Sequence, residues 1–223
     1  RRGLRCLKEY LLGNFYLYRH LYFHKAVIAV ESMLILALKR ASMLVSEGLL
    51  SDFQNEAFVK ISKNDKLTIE DYMSLNDSEI ISWLHHWINS NDEELGSLCY
   101  DILNRRLYKA IYSAKGYKYD SRIKNIYKEN NVNFDYNYFE RELGRQAYKG
   151  SYFFKNKQMS SQEIYIQIEK DQVAQSYDDL SKNKKLGNIS ESISSLGFNY
   201  LYIIVPKSLS SHVEKIIEGE DHE

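Results

Sequence analysis

The chain has little of what usually punctuates or cross-links a protein. Among its 223 residues stand one proline, ten glycines and two cysteines. With so few breakers, long helices are favoured over a turn-rich β architecture. Cys6 and Cys99 are too few for a disulfide framework or a cysteine-rich zinc centre, and they suit a reducing cytosol. Net charge is also lacking: 30 Lys+Arg face 30 Asp+Glu, so no global basic field recommends nucleic acid as partner. No apolar run reaches the roughly 18 residues of a membrane span, because charges interrupt every candidate. No basic-then-apolar leader with a small-residue cleavage site is present, so a cytoplasmic location is the expectation. An initiating methionine is missing before Arg1-Arg2-Gly3, and a helical pattern starts almost at once. Domain edges normally lie in soft linkers, so this beginning points to a piece of a longer protein.

What is present reads as a folded chain, 44% hydrophobic and 27% charged, long enough to bury a sizeable core. Charge is graded along it: residues 1–40 carry eight basic and two acidic residues, while 214–223 carry one basic and five acidic. From Leu4 to Val45 apolar residues recur at helical spacing. Leu4, Leu7, Leu11 and Leu12 are followed by Phe15, Tyr18, Tyr22 and Val27, then by Val30, Met33, Ala37, Ala41 and Val45. This predicts one long helix, or two with a bend near Gly13-Asn14, ended by Glu47-Gly48. Further helices are expected over 50–60, from Thr68 with Asp71 completing a capping box, from Asn76-Asp77-Ser78-Glu79, and from Asp92 onward through Leu107 and Ile111. Residues 1–115 thus read as all-helical. Beyond Lys115-Gly116 the periodicity weakens. Ile164–Ile168 and Tyr200–Val205 are β-rich runs, Asn188–Leu196 is helix-like, and Ser210 caps a last helix. The expected fold is α+β and predominantly helical: a helical region over 1–115 and a small mixed α/β lobe over 116–223.

Familiar catalytic motifs are missing. There is no HExxH, no glycine-rich phosphate loop and no GxSxG elbow. His20 and His24 stand at i, i+4, a spacing at which two imidazoles can share a metal. The plainer reading makes them part of a polar seam on a buried helix. Asp92-Glu93-Glu94 and Asp178-Asp179 look like exposed helix starts, and both cysteines look like small core residues. Basic residues beside aromatics (Tyr108-Lys109, Tyr117-Lys118-Tyr119, Tyr148-Lys149) are a pattern that stacks bases and neutralises phosphates, but zero net charge argues against a nucleic-acid footprint. The richest constellation is Tyr16-Leu17-Tyr18-Arg19-His20-Leu21-Tyr22-Phe23-His24-Lys25. On a helix it gathers phenols, imidazoles and cations, a wall suited to an anionic, ring-bearing ligand. The competing reading is a half-buried amphipathic helix whose aromatics pack and whose cations snorkel.

Several of these residues carry a resemblance. Gly3-Leu4 through Leu11-Leu12, Tyr18 with Tyr22-Phe23-His24, and the apolar helix after them resemble a segment of the HD-superfamily phosphohydrolases. The branch is that of the deoxynucleoside triphosphate triphosphohydrolases, which includes the SAM-and-HD-domain enzyme. Leu67-Thr68 with Glu70-Asp71 and Ser74-Leu75-Asn76-Asp77 is similar to another part of that family. Asn104-Arg105-Arg106-Leu107-Tyr108-Lys109 resembles its Arg-Arg-Leu-Phe-Lys signature, and Tyr200–Pro206 its closing strand. The resemblance covers most of 1–115 and the remainder more loosely. It implies a helical fold, nucleotide as ligand and a homo-oligomer. It implies that Tyr22 lies against the sugar and that His24 and Lys25 lie near the nucleotide and regulatory pockets; with Tyr18 and Arg19 of the same constellation, these are the expected substrate-binding residues. It also implies a divalent metal in the parent protein, held by a His…His-Asp…Asp set. No His-Asp dipeptide occurs in this sequence, so no metal ligand and no catalytic residue is assigned to this chain. One departure stands out: relatives often carry a triphosphate-gripping arginine where this chain has Asn14, which puts triphosphate specificity in doubt.

Two functions are therefore expected. The first is the C-terminal portion of a metal-dependent HD-type phosphohydrolase acting on (deoxy)nucleotides, inactive alone and supplying pocket wall and oligomer interface. The alternative is a degenerate, non-catalytic nucleotide- or protein-binding regulatory module.

Overall fold

The computed structural model describes residues 2–50, 55–113, 121–147, 164–167, 175–176 and 196–219. The fold is α+β and predominantly helical, as the periodicity predicts. It divides into two compact units, Arg1–His24 with Glu142–Tyr200, and Lys25–Arg141 with Leu201–Glu223. The change of texture at 115/116 falls inside the second of these units. Each unit combines distant stretches, a pairing that local composition does not record.

The second unit is built around α2 (Lys25–Ser46), whose buried residues Ile28, Ala29, Ser32, Met33, Leu36, Ala37, Ala41, Leu44 and Val45 recur every four, in adjacent pairs except at Ala41. This double stripe fills a core face within the unit, packing on α3 (Glu56–Ser62), α6 (Glu93–Leu103) and β1 (Lys109–Ser113). Gly48 at φ 74° ends the helix in the left-handed region that glycine enters without cost. The predicted helix over 50–60 begins at Glu56, capped by the Asn55 side chain; residues 51–54 lie outside the described residues. α4 (Ile69–Ser74) carries the predicted capping box between Thr68 and Asp71, and α5 (Asp77–Trp87) starts at the Asn76 cap. Between α5 and α6 the backbones meet at Gly96, where a Cβ would lie 3.0 Å from the Ile88 carbonyl oxygen.

Two expectations fail in this unit. The helix from Asp92 stops at Leu103, with Arg105 turning into the left-handed region at φ 55°. Ile111 then lies in strand β1, not on that helix. β1 pairs antiparallel with β5 (Gly197–Val205), in a register that sets Ala110 opposite Ile204 and Ile111 opposite Ile203. β5 is the middle strand of the order β1-β5-β2, with β2 at Phe139–Gln146. α7 (Ser121–Glu129) and the short α8 (Phe134–Asn137) fall where only weak periodicity was visible. The final helix, α9 (Lys207–Gly219), starts directly after Pro206 and not at Ser210, whose hydroxyl donates to the Lys207 carbonyl at 2.8 Å. Ile111, Ile123, Tyr127, Ile203, Val205, Leu209 and Val213 form one buried cluster.

The first unit contains α1 (Arg2–Leu17), unbroken at Gly13-Asn14; of the two alternatives the chain takes two helices, divided at Tyr18–Tyr22 and not at Gly13-Asn14. Leu7, Leu11 and Leu12 pack with Ala147 and Ile164. Two-residue strands β3 (Tyr165–Ile166) and β4 (Gln175–Ser176) pair antiparallel. The helix-like stretch 188–195 lies outside the described residues. Among the described residues no single helix is long and apolar enough to cross a membrane.

The two cysteines differ in surroundings. Cys99 is buried, and desolvation pushes its thiol up to about 12, whereas Cys6 is exposed and not a core residue. Only the thiolate attacks a disulfide reagent. One thiol per chain is therefore expected to react with such a reagent at pH 8 in the native protein, and two in urea. Two fast native thiols would contradict the packing around Cys99.

Candidate functional site

The aromatic constellation after α1 folds as a single π-helical turn, Tyr18–Tyr22, none of whose residues is buried. The Phe23 N–H donates to the Tyr18 carbonyl at 2.9 Å, an i→i+5 bond. That wider turn brings side chains four and five apart onto one side. The Tyr18 ring lies 4.8 Å from Tyr22 and 5.9 Å from Phe23. Single π turns within helices recur at functional sites. The turn is pinned from beneath: Phe198 of β5 meets Phe15 at 5.4 Å and Phe23 at 5.6 Å, both edge-on, and stacks on Tyr200 at 4.8 Å. Edge-to-face contacts of this kind are favourable beyond area burial. They hold the turn while leaving Tyr22 half exposed.

A cation reaches this wall from a place the sequence did not indicate. Arg145, on β2, sets its guanidinium 3.4 Å from the centroid of the Tyr18 ring. Its Nη2 donates to Asn14 Oδ1 at 2.9 Å, across 131 residues of chain. Asn14 is itself uncharged, but its amide oxygen holds a charged arginine. No local pattern around Glu140–Gln146 ties that strand to α1, so only the tertiary pairing reveals the contact.

The sequence-predicted residues are distributed as follows. Tyr18 and Tyr22 come together. Arg19 is exposed, and the guanidinium on Tyr18 is that of Arg145. His24 is exposed at the end of the first unit, its N–H donating to the Leu21 carbonyl at 3.3 Å. Lys25 is the first residue of α2 and belongs to the second unit. His20 and His24 do not line a buried seam: both are exposed, and the His20 ring stacks on Tyr16. Among the described residues no three His, Cys, Asp or Glu side chains gather as a metal would need. The divalent metal that the resemblance implies therefore does not fit the residues described.

In the second unit, a cavity of about 420 Å³ opens beside the Asn104–Lys109 signature, lined by Asp101, Arg105, Arg106, Tyr108, Lys207 and Ser208 among others. Burial raises the Asp101 carboxyl, with Arg106 opposing it. The Tyr108-Lys109 pair is not a base-stacking element. Tyr108 is 9% exposed and hydrogen-bonded to Asn137, and Lys109 pairs with Glu214 at 2.6 Å. The other two aromatic–basic pairs lie outside the described residues.

The chain shares its fold with part of a phosphohydrolase. That protein, from Bacteroides thetaiotaomicron, superimposes with a TM-score of 0.70 at 22% identity, over 92% of this chain and 50% of its own. A hypothetical protein from Aquifex aeolicus gives a TM-score of 0.54 at 22% identity, over 94% of this chain and 44% of its own. In sequence, the uncharacterized protein YwfO of Bacillus subtilis (strain 168) is 30% identical over 109 residues, 49% of this chain and 25% of that protein. The chain thus spans half or less of the length of these relatives. No protein-family profile matches it.

Proposed function

We propose that the chain forms the nucleotide-binding wall of a metal-dependent HD-type phosphohydrolase that acts on (deoxy)nucleotides as a homo-oligomer. The hydrolytic metal would be held by residues this chain does not supply. The observation that carries the reading is the Tyr18–Tyr22 ring pair with a guanidinium on its Tyr18 face. Flat apolar surface beside a fixed positive charge suits a ring joined to a phosphate. The fold shared with a phosphohydrolase supports the reaction class. His24 and Lys25 are proposed as further ligand contacts on the resemblance alone, and Arg19 on its place in the same constellation.

Purified chain is expected to bind dATP, with Tyr22→Ala weakening it several-fold, and to show no hydrolysis with any added divalent cation. Metal-stimulated release of phosphate by contaminant-free protein would refute the division of labour, and absence of any dATP binding would refute the nucleotide wall.

A second reading, a non-catalytic protein-binding module, has its own observation. Ile69, Tyr72 and Met73 of α4 are 79%, 70% and 74% exposed on one helix stripe, an unusual arrangement for apolar side chains. An in-frame His…His-Asp…Asp region encoded upstream would favour the enzyme, and its absence the module.

A further inference from the structure

Two arginines of the second unit are paired with carboxylates. Arg40 is gripped on two nitrogens by Asp92, and Arg141 pairs with Glu31 at 2.6 Å. Arg145 is held differently. Its face lies on the Tyr18 ring, and one donor on Nη2 goes to the neutral amide oxygen of Asn14. Among the described residues no carboxylate pairs with it. A guanidinium has five in-plane N–H donors and cannot lose its charge. The Tyr18 ring occupies one face and leaves the edges, and an amide orients the group without neutralising it. What remains is a preorganised donor fork carrying full positive charge, half-buried beside two phenol rings. That geometry matches a phosphate or similar oxyanion, which such forks bind bidentately.

We infer that Arg145 is the phosphate-binding residue of this wall, oriented by Asn14 and Tyr18, and that it selects nucleoside phosphates over nucleosides. The inference rests on the nucleotide reading above for the ring-bearing part of the ligand, and on Arg145 alone for the anion.

The test compares dATP, deoxyadenosine and inorganic tripolyphosphate by calorimetry on the full 223-residue chain. Arg145→Gln is expected to weaken dATP about 10- to 100-fold, the scale of charged hydrogen bonds, with deoxyadenosine unchanged. Arg145→Lys keeps the charge but not the fork and should fall between. Asn14→Asp separates binding from structure. A carboxylate there would tighten the hold on Arg145 yet neutralise it, so dATP affinity should drop about tenfold or more without loss of melting temperature. If the parent chain binds dATP and both Arg145→Gln and Asn14→Asp bind it equally well, the inference falls and the nucleotide wall stands. If tripolyphosphate binds as tightly as dATP and depends on Arg145, the oxyanion role stands and the nucleoside part of the function falls. If the parent chain binds neither phosphate ligand, both are overturned.

Discussion

Replacing Trp87 by alanine is expected to destabilise the protein by about 3–5 kcal/mol, the range for emptying a large aromatic site in a core. Trp87 is 1% exposed and closes the C-terminal end of α5. Its ring lies 5.7 Å from Phe58 and 5.8 Å from Trp83, while those two are 5.0 Å apart, so three aromatics from α3 and α5 support one another. Removing the central ring leaves a void that two short helices, pinned by their caps, cannot readily collapse into. Trp87→Phe makes the comparison informative. The indole N–H is buried without an acceptor among the described residues, and phenylalanine removes that orphan donor along with part of the ring. The lost area and the relieved donor oppose each other, so a cost of only about 1 kcal/mol is expected. Urea unfolding followed by circular dichroism would measure both variants. A cost for the alanine variant below about 1 kcal/mol would show that this cluster is not part of the core.

The starts of the helices around this cluster were legible in the sequence, and the reason is local chemistry. The capping signals at Thr68, Asn76 and Asp92 act within three residues, and each side chain accepts from the N–H three residues on. The stop at Gly48 is equally local. Elements fixed by distant partners were not readable. Ile111 continues a helical spacing from Ile102 and Leu103, but its partner across the sheet is Ile203 of β5, far on in the chain. Arg105 ends α6 in a conformation that its residue type does not advertise. In Ser121–Glu129 the buried Ile123 and Tyr127 are a proper i, i+4 pair, diluted by Lys and Asn on the other face. β2 reads Phe-Glu-Arg-Glu-Leu-Gly-Arg-Gln, a composition no strand propensity favours, and it is an edge of the sheet, where charged residues are tolerated. The candidate site divides the same way. The Tyr18–Tyr22 pair follows from chain spacing, whereas Arg145 could reach Asn14 only through the fold.

The second large effect is expected at Asp92, which the sequence marks as an exposed helix start and the structure makes a junction. Its side chain is 18% exposed. Oδ1 accepts from the Leu95 N–H at 2.9 Å as the cap of α6 and from Arg40 Nε at 3.1 Å, while Oδ2 accepts from Arg40 Nη2 at 2.5 Å. The Arg40 hydrogen bonds hold the carboxyl below the usual carboxylate range, helped by the Leu95 N–H and opposed by burial. Arg40 in turn lies 4.7 Å from the Tyr136 ring and would be left partly buried and unpaired. Asp92→Ala removes cap and partner together, so a loss of about 2–4 kcal/mol is expected. Asp92→Asn retains an acceptor for Leu95 but no charge, and should cost less. The pH dependence follows from the direction of the shift. A carboxyl whose folded value lies below its unfolded value near 3.9 contributes fully above that value, and loses the contribution as pH falls through the folded one. The gap in stability between the parent chain and Asp92→Asn should therefore be widest above about pH 5 and narrow steadily on acidification. A gap that stayed constant from pH 7 to pH 2 would mean that the Arg40–Asp92 pair contributes shape to this junction and not charge.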